Sequence, residues 1–207
     1  MPHPASRGPG RPPAAKAAET RRRIMNAACE VFSERGYDAA TFQAIAIRAD
    51  LTRPAINHYF SSKRALYWEV VRETNEMVVT ASIQRAERET TLLGQLSAFI
   101  EAGREAGAEN QRAAAFLITV ALESQRHPDL SREQSDTIVV TRDFLSGAIN
   151  EAIGRGELAT DTDAAALTEL LLTVLLGVGF YAGFVGRRRD LDGVIRQLRR
   201  LLAGGLG

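Results

Sequence analysis

Apolar residues recur three and four positions apart along nearly the whole chain, and no run alternates long enough to suggest a strand. The pattern predicts an all-α fold of about nine helices. The first spans about Thr20 to Arg35 and turns Ile24, Ala27, Ala28, Val31 and Phe32 to one side; Gly36 ends it. Two short helices follow. Thr41 is a good N-cap for one that buries Phe42, Ile45, Ala46 and Ala49. Thr52 opens another that buries Ala55, Ile56 and Phe60, with Pro54 in the first turn, where a missing N–H costs nothing. A fourth begins at Ser61 or Ser62 and carries Leu66, Val70 and Met77 on one face. Five more are predicted at about 91–106, 110–126, 131–154, 161–186 and 190–203, broken by Gly107, His127-Pro128, Gly154-Arg155-Gly156 and the run from Arg187 to Asp190.

Two helices joined by a turn as short as that between Ala49 and Thr52 cannot lie antiparallel. They cross steeply, as in a helix-turn-helix, whose second helix fits a DNA major groove. The outward residues suit that use. Thr41, Thr52, Arg53, Asn57, His58, Tyr59 and Lys63 are donors or cations near helix N-termini or on the second helix, around Pro54. Hydroxyls and helix N-termini hold phosphates, whereas Arg and Asn read base edges.

Gly36-Tyr37, Thr41, Ile45-Ala46, Thr52, Ile56, Tyr59-Phe60, Ser62-Lys63 and Leu66 stand at spacings that resemble the TetR family of bacterial transcriptional regulators, over Thr20 to Val71. The resemblance implies a three-helix DNA-binding head at 19–65 and a helical ligand-binding and dimerisation domain at 66–207. It also implies a homodimer on a palindromic operator, released by a small-molecule inducer. Two residues depart from the family pattern. Asp50 stands where the family usually has Gly; a left-handed turn there is one Asp tolerates better than most residues. Asn57 stands where Tyr is frequent, so no relative's operator transfers to this chain.

Charge sharpens the picture. Residues 1–64 hold eleven Lys/Arg against five Asp/Glu, a balance of +6, and the remainder fifteen against twenty, −5. The positive field is concentrated at the DNA-reading end. Residues 1–18, rich in Pro, Gly and Ala, read as a flexible basic arm; its Gly10-Arg11-Pro12 resembles the core of an AT-hook, which would lay Arg11 into a minor groove, and a solubilising tail is the alternative reading. A single cysteine, Cys29, excludes an intrachain disulfide and fits a reducing cytoplasm. His3, His58 and His127 are the only histidines, and no nucleophile elbow, phosphate loop or zinc-protease pattern is present. No enzyme, metal or cofactor is therefore expected. Glu123 and His127 are four apart, but His127 before Pro128 reads as a helix end.

Leu170–Gly186 is nearly all apolar and precedes Arg187-Arg188-Arg189, which taken alone could be a membrane span. Its marginal length and glycines favour a buried helix, so no membrane partner is expected. The resemblance implies a four-helix dimer interface from the last two helices, assigned here to Leu171, Val174, Val178, Tyr181, Val194, Ile195, Leu198 and Leu202. It also implies an inducer pocket among the middle helices, for which Trp68, Phe99, Phe116, Thr119, Glu123, Phe144 and Phe180 are the candidates.

Overall fold

The computed structural model describes residues 13–109, 112–130, 137–186, 188–202 and 204, and these form no strand. Helix α1 spans Pro13–Ala39, α2 Phe42–Arg48 and α3 Arg53–Tyr59. Helix α4, Lys63–Asn75, continues through a π-helical turn, Glu76–Thr80, into α5, Ala81–Ala86. Then come α6 Leu92–Glu109, α7 Ala113–Arg126, a 3-10 turn Pro128–Leu130, and α8 Thr137–Gly154. Helix α9, Ala164–Phe180, ends in a second π-helical turn, Tyr181–Val185, and α10 spans Arg188–Leu202. With α4, its π turn and α5 taken as one rod, the described residues form the nine helices that the periodicity predicts.

The first helix starts earlier than predicted. Pro13 suits a first turn, and Ala14, Ala15, Lys16, Ala17 and Ala18 are strong helix formers, so the second part of the expected arm is helical. Arg11 and the rest of the arm lie outside the described residues. The helix breaks at Gly36 (φ 72°, ψ 178°), where predicted. A side chain there would also collide with Glu123, whose Oε1 is 2.6 Å from where a Cβ would stand.

One core joins the head to the body. Ile24, Val31 and Phe32 of α1, Ile45 of α2 and Ile56 of α3 pack with Leu66, Tyr67 and Val70 of α4. Phe116 and Val120 of α7 and Leu130 belong to the same cluster. Its centre is aromatic: Tyr67 meets both Phe32 and Tyr37 edge-on at 5.0 Å, and Phe116 lies 6.1 Å from Tyr67 and 6.4 Å from Phe32. A second cluster (Leu96, Leu145, Ile149, Leu171 and Leu172) holds α6, α8 and α9 together. Cys29 lies in the first core, and burial pushes its thiol up to about 12, which makes it unreactive.

The turn between α2 and α3 is a Schellman motif. Leu51 N–H donates to the Ala46 carbonyl at 2.9 Å and Asp50 N–H to that of Ile47 at 3.2 Å. This places Asp50 at φ 51°, the left-handed conformation foreseen from the sequence. The Asp50 carboxylate is fully exposed, at a helix C-terminus where negative charge is unfavourable. Its ion pair with Arg23, at 3.7 Å, is a weak compensation. Asp50→Gly is therefore expected to stabilise the protein by about 0.5–1 kcal/mol, read from denaturant midpoints. Unchanged or reduced stability would mean that the pair with Arg23 outweighs the backbone strain.

Candidate nucleic-acid interface and effector cavity

All three helices after α1 begin with a hydroxyl cap. Thr41 accepts from Ala44 N–H at 3.1 Å, Thr52 from Ala55 N–H at 3.4 Å, and Ser62 from Ala65 N–H at 3.1 Å. Ile56 anchors α3 in the core, so Arg53, Pro54, Asn57, His58 and Ser61 project outward. Arg53 and Asn57 are four apart and share one face of α3. The Arg53 and Asn57 side chains make no hydrogen bond or ion pair to any described residue. Tyr59 is half-buried against the head core, with His58 edge-on to its ring at 5.4 Å.

Lys63 has partners inside the chain. Its ammonium donates to the carbonyls of Tyr37 (2.8 Å) and Asp38 (3.1 Å) and stands 4.3 Å from the centre of the Tyr37 ring. It caps the chain where α1 breaks. Other cations also brace the head. Arg23 donates to the Ala49 carbonyl at 2.6 Å, and Arg21 pairs with Glu69 at 2.9 Å. Arg48 of α2 binds Glu30 and Glu34 of α1, and Arg112, before α7, binds Glu34 too. Hydrogen bonds from Arg48 and then Arg112 hold the Glu34 carboxyl down to about 2.

The inducer candidates scatter. Trp68 donates from Nε1 to the Leu130 carbonyl at 3.1 Å, with Arg64 over its ring, so it belongs to the joint between head and body. Phe116 is the centre of that joint. Glu123, only 4% exposed, turns toward the α1 break: Oε1 accepts from Tyr37 N–H at 3.4 Å, and His127 Nε2 is 3.5 Å from Oε2. Thr119 donates back to the Ala115 carbonyl at 2.9 Å, and Phe180 is exposed. Phe144 stacks on Phe99 at 5.4 Å, and of the seven only Phe99 lines the cavity described next.

That cavity, of about 140 Å³, lies between α6, α7, α8 and α9. Val78 and Val79 of the first π-helical turn form part of its wall, as do Ala182 of the second and Ile195 of α10. Arg104 is its one charged wall residue among the described residues, and Thr137 and Thr141 supply hydroxyls. Sequence reasoning missed the valines, because a π-helical turn has no composition of its own.

Of the interface candidates, Leu171 and Ile195 are buried inside the chain and Val178 lines the cavity. Val174, Tyr181 and Leu198 are half-buried, Val194 is exposed, and the Leu202 side chain lies outside the described residues. The outward seam of α9 is instead Leu170, Thr173, Gly177, Phe180 and Phe184, spaced alternately three and four apart, with Val194 and Leu201 exposed on α10.

A chain of this fold has known counterparts. Residues 24–70 match the profile of the bacterial regulatory proteins of the tetR family, and residues 93–207 that of the BetI-type transcriptional repressor C-terminal domain. The chain belongs to the TetR family. It is 25% identical over 163 residues to the HTH-type transcriptional regulator UidR of Escherichia coli K12, covering 79% of this chain and 81% of UidR. It is 30% identical over 168 residues to the HTH-type transcriptional repressor BepR of Brucella suis, covering 79% and 80%. The fold is shared with FadR from Bacillus subtilis in complex with stearoyl-CoA, at a TM-score of 0.69 and 20% identity, covering 90% and 99%. TetR proteins are DNA-binding transcriptional regulators, not enzymes.

The position of Lys63 separates two roles. As a cap holding two carbonyls, Lys63→Ala should lower stability by about 1–3 kcal/mol. A plain phosphate contact would leave the melting temperature alone and flatten the salt dependence of DNA binding by about one unit. Thermal melts and a salt titration on one preparation decide between them.

Proposed function

We propose that this TetR-family chain is a cytoplasmic homodimeric repressor, with head at 19–65 and body at 66–207, released from a palindromic operator by a small ligand in the cavity. The carrying observation is one of continuity. Val78 and Val79, in the cavity wall, belong to the same rod as α4, whose first turn stands beside α3. A ligand that changes the wall bears directly on the helix that aims the head. A dimer engages two half-sites only when its recognition helices match successive major-groove faces, so a small change in aim suffices to release it. A ligand favouring the misaligned spacing shifts the population off DNA.

Arg53 and Asn57 read bases in this scheme, and Thr41, Thr52 and Tyr59 hold phosphates. Sites enriched from a random DNA pool provide the test. Arg53→Ala and Asn57→Ala should each cost about 1–3 kcal/mol on the enriched site and relax the preference at one base position. If both variants enrich the wild-type sequence with undiminished discrimination, other residues read the bases.

The outward α9 seam is the dimer face in this reading. Ala164–Val185 is, among the described residues, the one helix long and apolar enough to cross a membrane by length and composition. It lies within the matched repressor domain, and a second copy would cover its exposed stripe. Sedimentation should give about twice the 22.5 kDa chain mass. Phe180→Asp, which would bury a carboxylate without a partner at the seam, should give monomers. A wild-type monomer at micromolar concentration would overturn the two-headed mechanism.

A further inference from the structure

The chemistry of the cavity wall narrows what it takes, resting on the reading of this cavity as the effector site. We infer that the ligand is a compact, uncharged hydrophobe of about benzene size that carries one hydrogen-bond donor, such as a simple phenol.

Size is the first argument. The cavity measures about 140 Å³. Apolar cavities near 150 Å³ accept benzene, so a single ring matches this volume and a long acyl chain exceeds it. The wall is branched and aromatic carbon, including Leu117, Ile118, Leu172 and Phe99.

Charge is the second. Arg104 gives Glu101 two hydrogen bonds, one from Nε at 2.9 Å and one from Nη2, and its Nη1 is 4.0 Å from Asp192. Arg199 donates to the other Glu101 oxygen at 2.8 Å. Two guanidinium groups thus face two carboxylates, and the rim is neutral. An anionic ligand would reach Arg104 only beside Glu101, and a cation would meet Arg104, the charged residue of the wall. Neither gains enough to offset loss of its hydration.

Hydrogen-bond direction is the third. The Thr141 hydroxyl donates to the Thr137 carbonyl at 2.7 Å, and the Thr137 hydroxyl bonds Asn75 Oδ1 at 2.6 Å, an amide oxygen that only accepts. Both hydroxyl protons are engaged, so the wall offers lone pairs. A ligand donor completes them, whereas a ligand with acceptors alone leaves these lone pairs unmet and finds a donor only at Arg104. Asn75 is the last residue of α4 before the π-helical turn, so a donor placed on Thr137 also touches the rod that carries the head.

The test is calorimetry on the full-length protein with four probes: p-cresol, toluene, 4-methylbenzoate and palmitoyl-CoA. Both neutral rings should bind one per chain, p-cresol about tenfold tighter than toluene, the worth of one good hydrogen bond. The two anions should bind at least 100-fold more weakly than p-cresol. Thr137→Val with Thr141→Val should bring p-cresol to within about twofold of toluene, and Ala114→Leu, which fills the cavity, should abolish both. Tighter binding of either anion than of p-cresol, no binding of either neutral ring, or a p-cresol preference that survives the double valine variant would overturn the inference. Release of enriched DNA is followed in parallel. Binding of p-cresol without release supports the ligand class and counts against the switch; release by 4-methylbenzoate or palmitoyl-CoA keeps the switch and rejects the class.

Discussion

The contact on which this structure depends is Phe116 against Tyr67 and Phe32. It brings one aromatic side chain of the body into the core of the DNA-binding head. Truncating a fully buried Phe typically costs about 3–5 kcal/mol, a large share of the stability of a small domain. The head therefore has no core of its own that closes without α7. Its orientation is fixed by two body elements, α4 and α7, and by polar ties around them. Lys63 and the buried Glu123 brace the break of α1 from opposite sides, and the Arg48–Glu34–Arg112 chain ties α2 to the start of α7.

A head welded in this way can be moved only by moving what it is welded to. The cavity is built against those elements. Leu117 and Ile118, in its wall, directly follow Phe116 on α7, and Val78 and Val79 stand one turn beyond Asn75 in the α4 rod. Both π-helical turns contribute wall residues. Such turns have poorer hydrogen-bond geometry than an α-helix and occur frequently at functional sites, where a one-residue change of register is accessible. In the proposed mechanism the stiff part of the molecule would carry the signal, and the pliable part would lie where a ligand touches.

The fold class was legible because apolar spacing and helix punctuation agree along the chain. Gly36 ended α1, His127 ended α7, and Asp50 took up the left-handed turn, each for a reason local to its sequence. Long-range placement was not legible. Periodicity marks Phe116 and Leu171 as apolar on one helix face without saying whether that face meets the head, a cavity or the rest of the chain. The capping role of Lys63 was not legible, because its partners, Tyr37 and Asp38, lie some 25 residues away and are backbone carbonyls that any sequence presents. The early start of α1 was hidden by prolines that mark a loop in general but suit a first helical turn. The rotation of the exposed α9 seam by one residue, from Leu171 to Leu170, is smaller than a pattern in an almost wholly apolar helix can resolve.

Hydrogen exchange on Phe116→Ala, compared with the wild type under conditions where both remain folded, tests the shared core most directly. If head and body close around one core, amides of α1, α3 and α4 lose protection together with those of α7, because they open as one cooperative unit. Loss of protection confined to α7 and its body neighbours, with the head unchanged, would show that the head is stable on its own and would contradict the account.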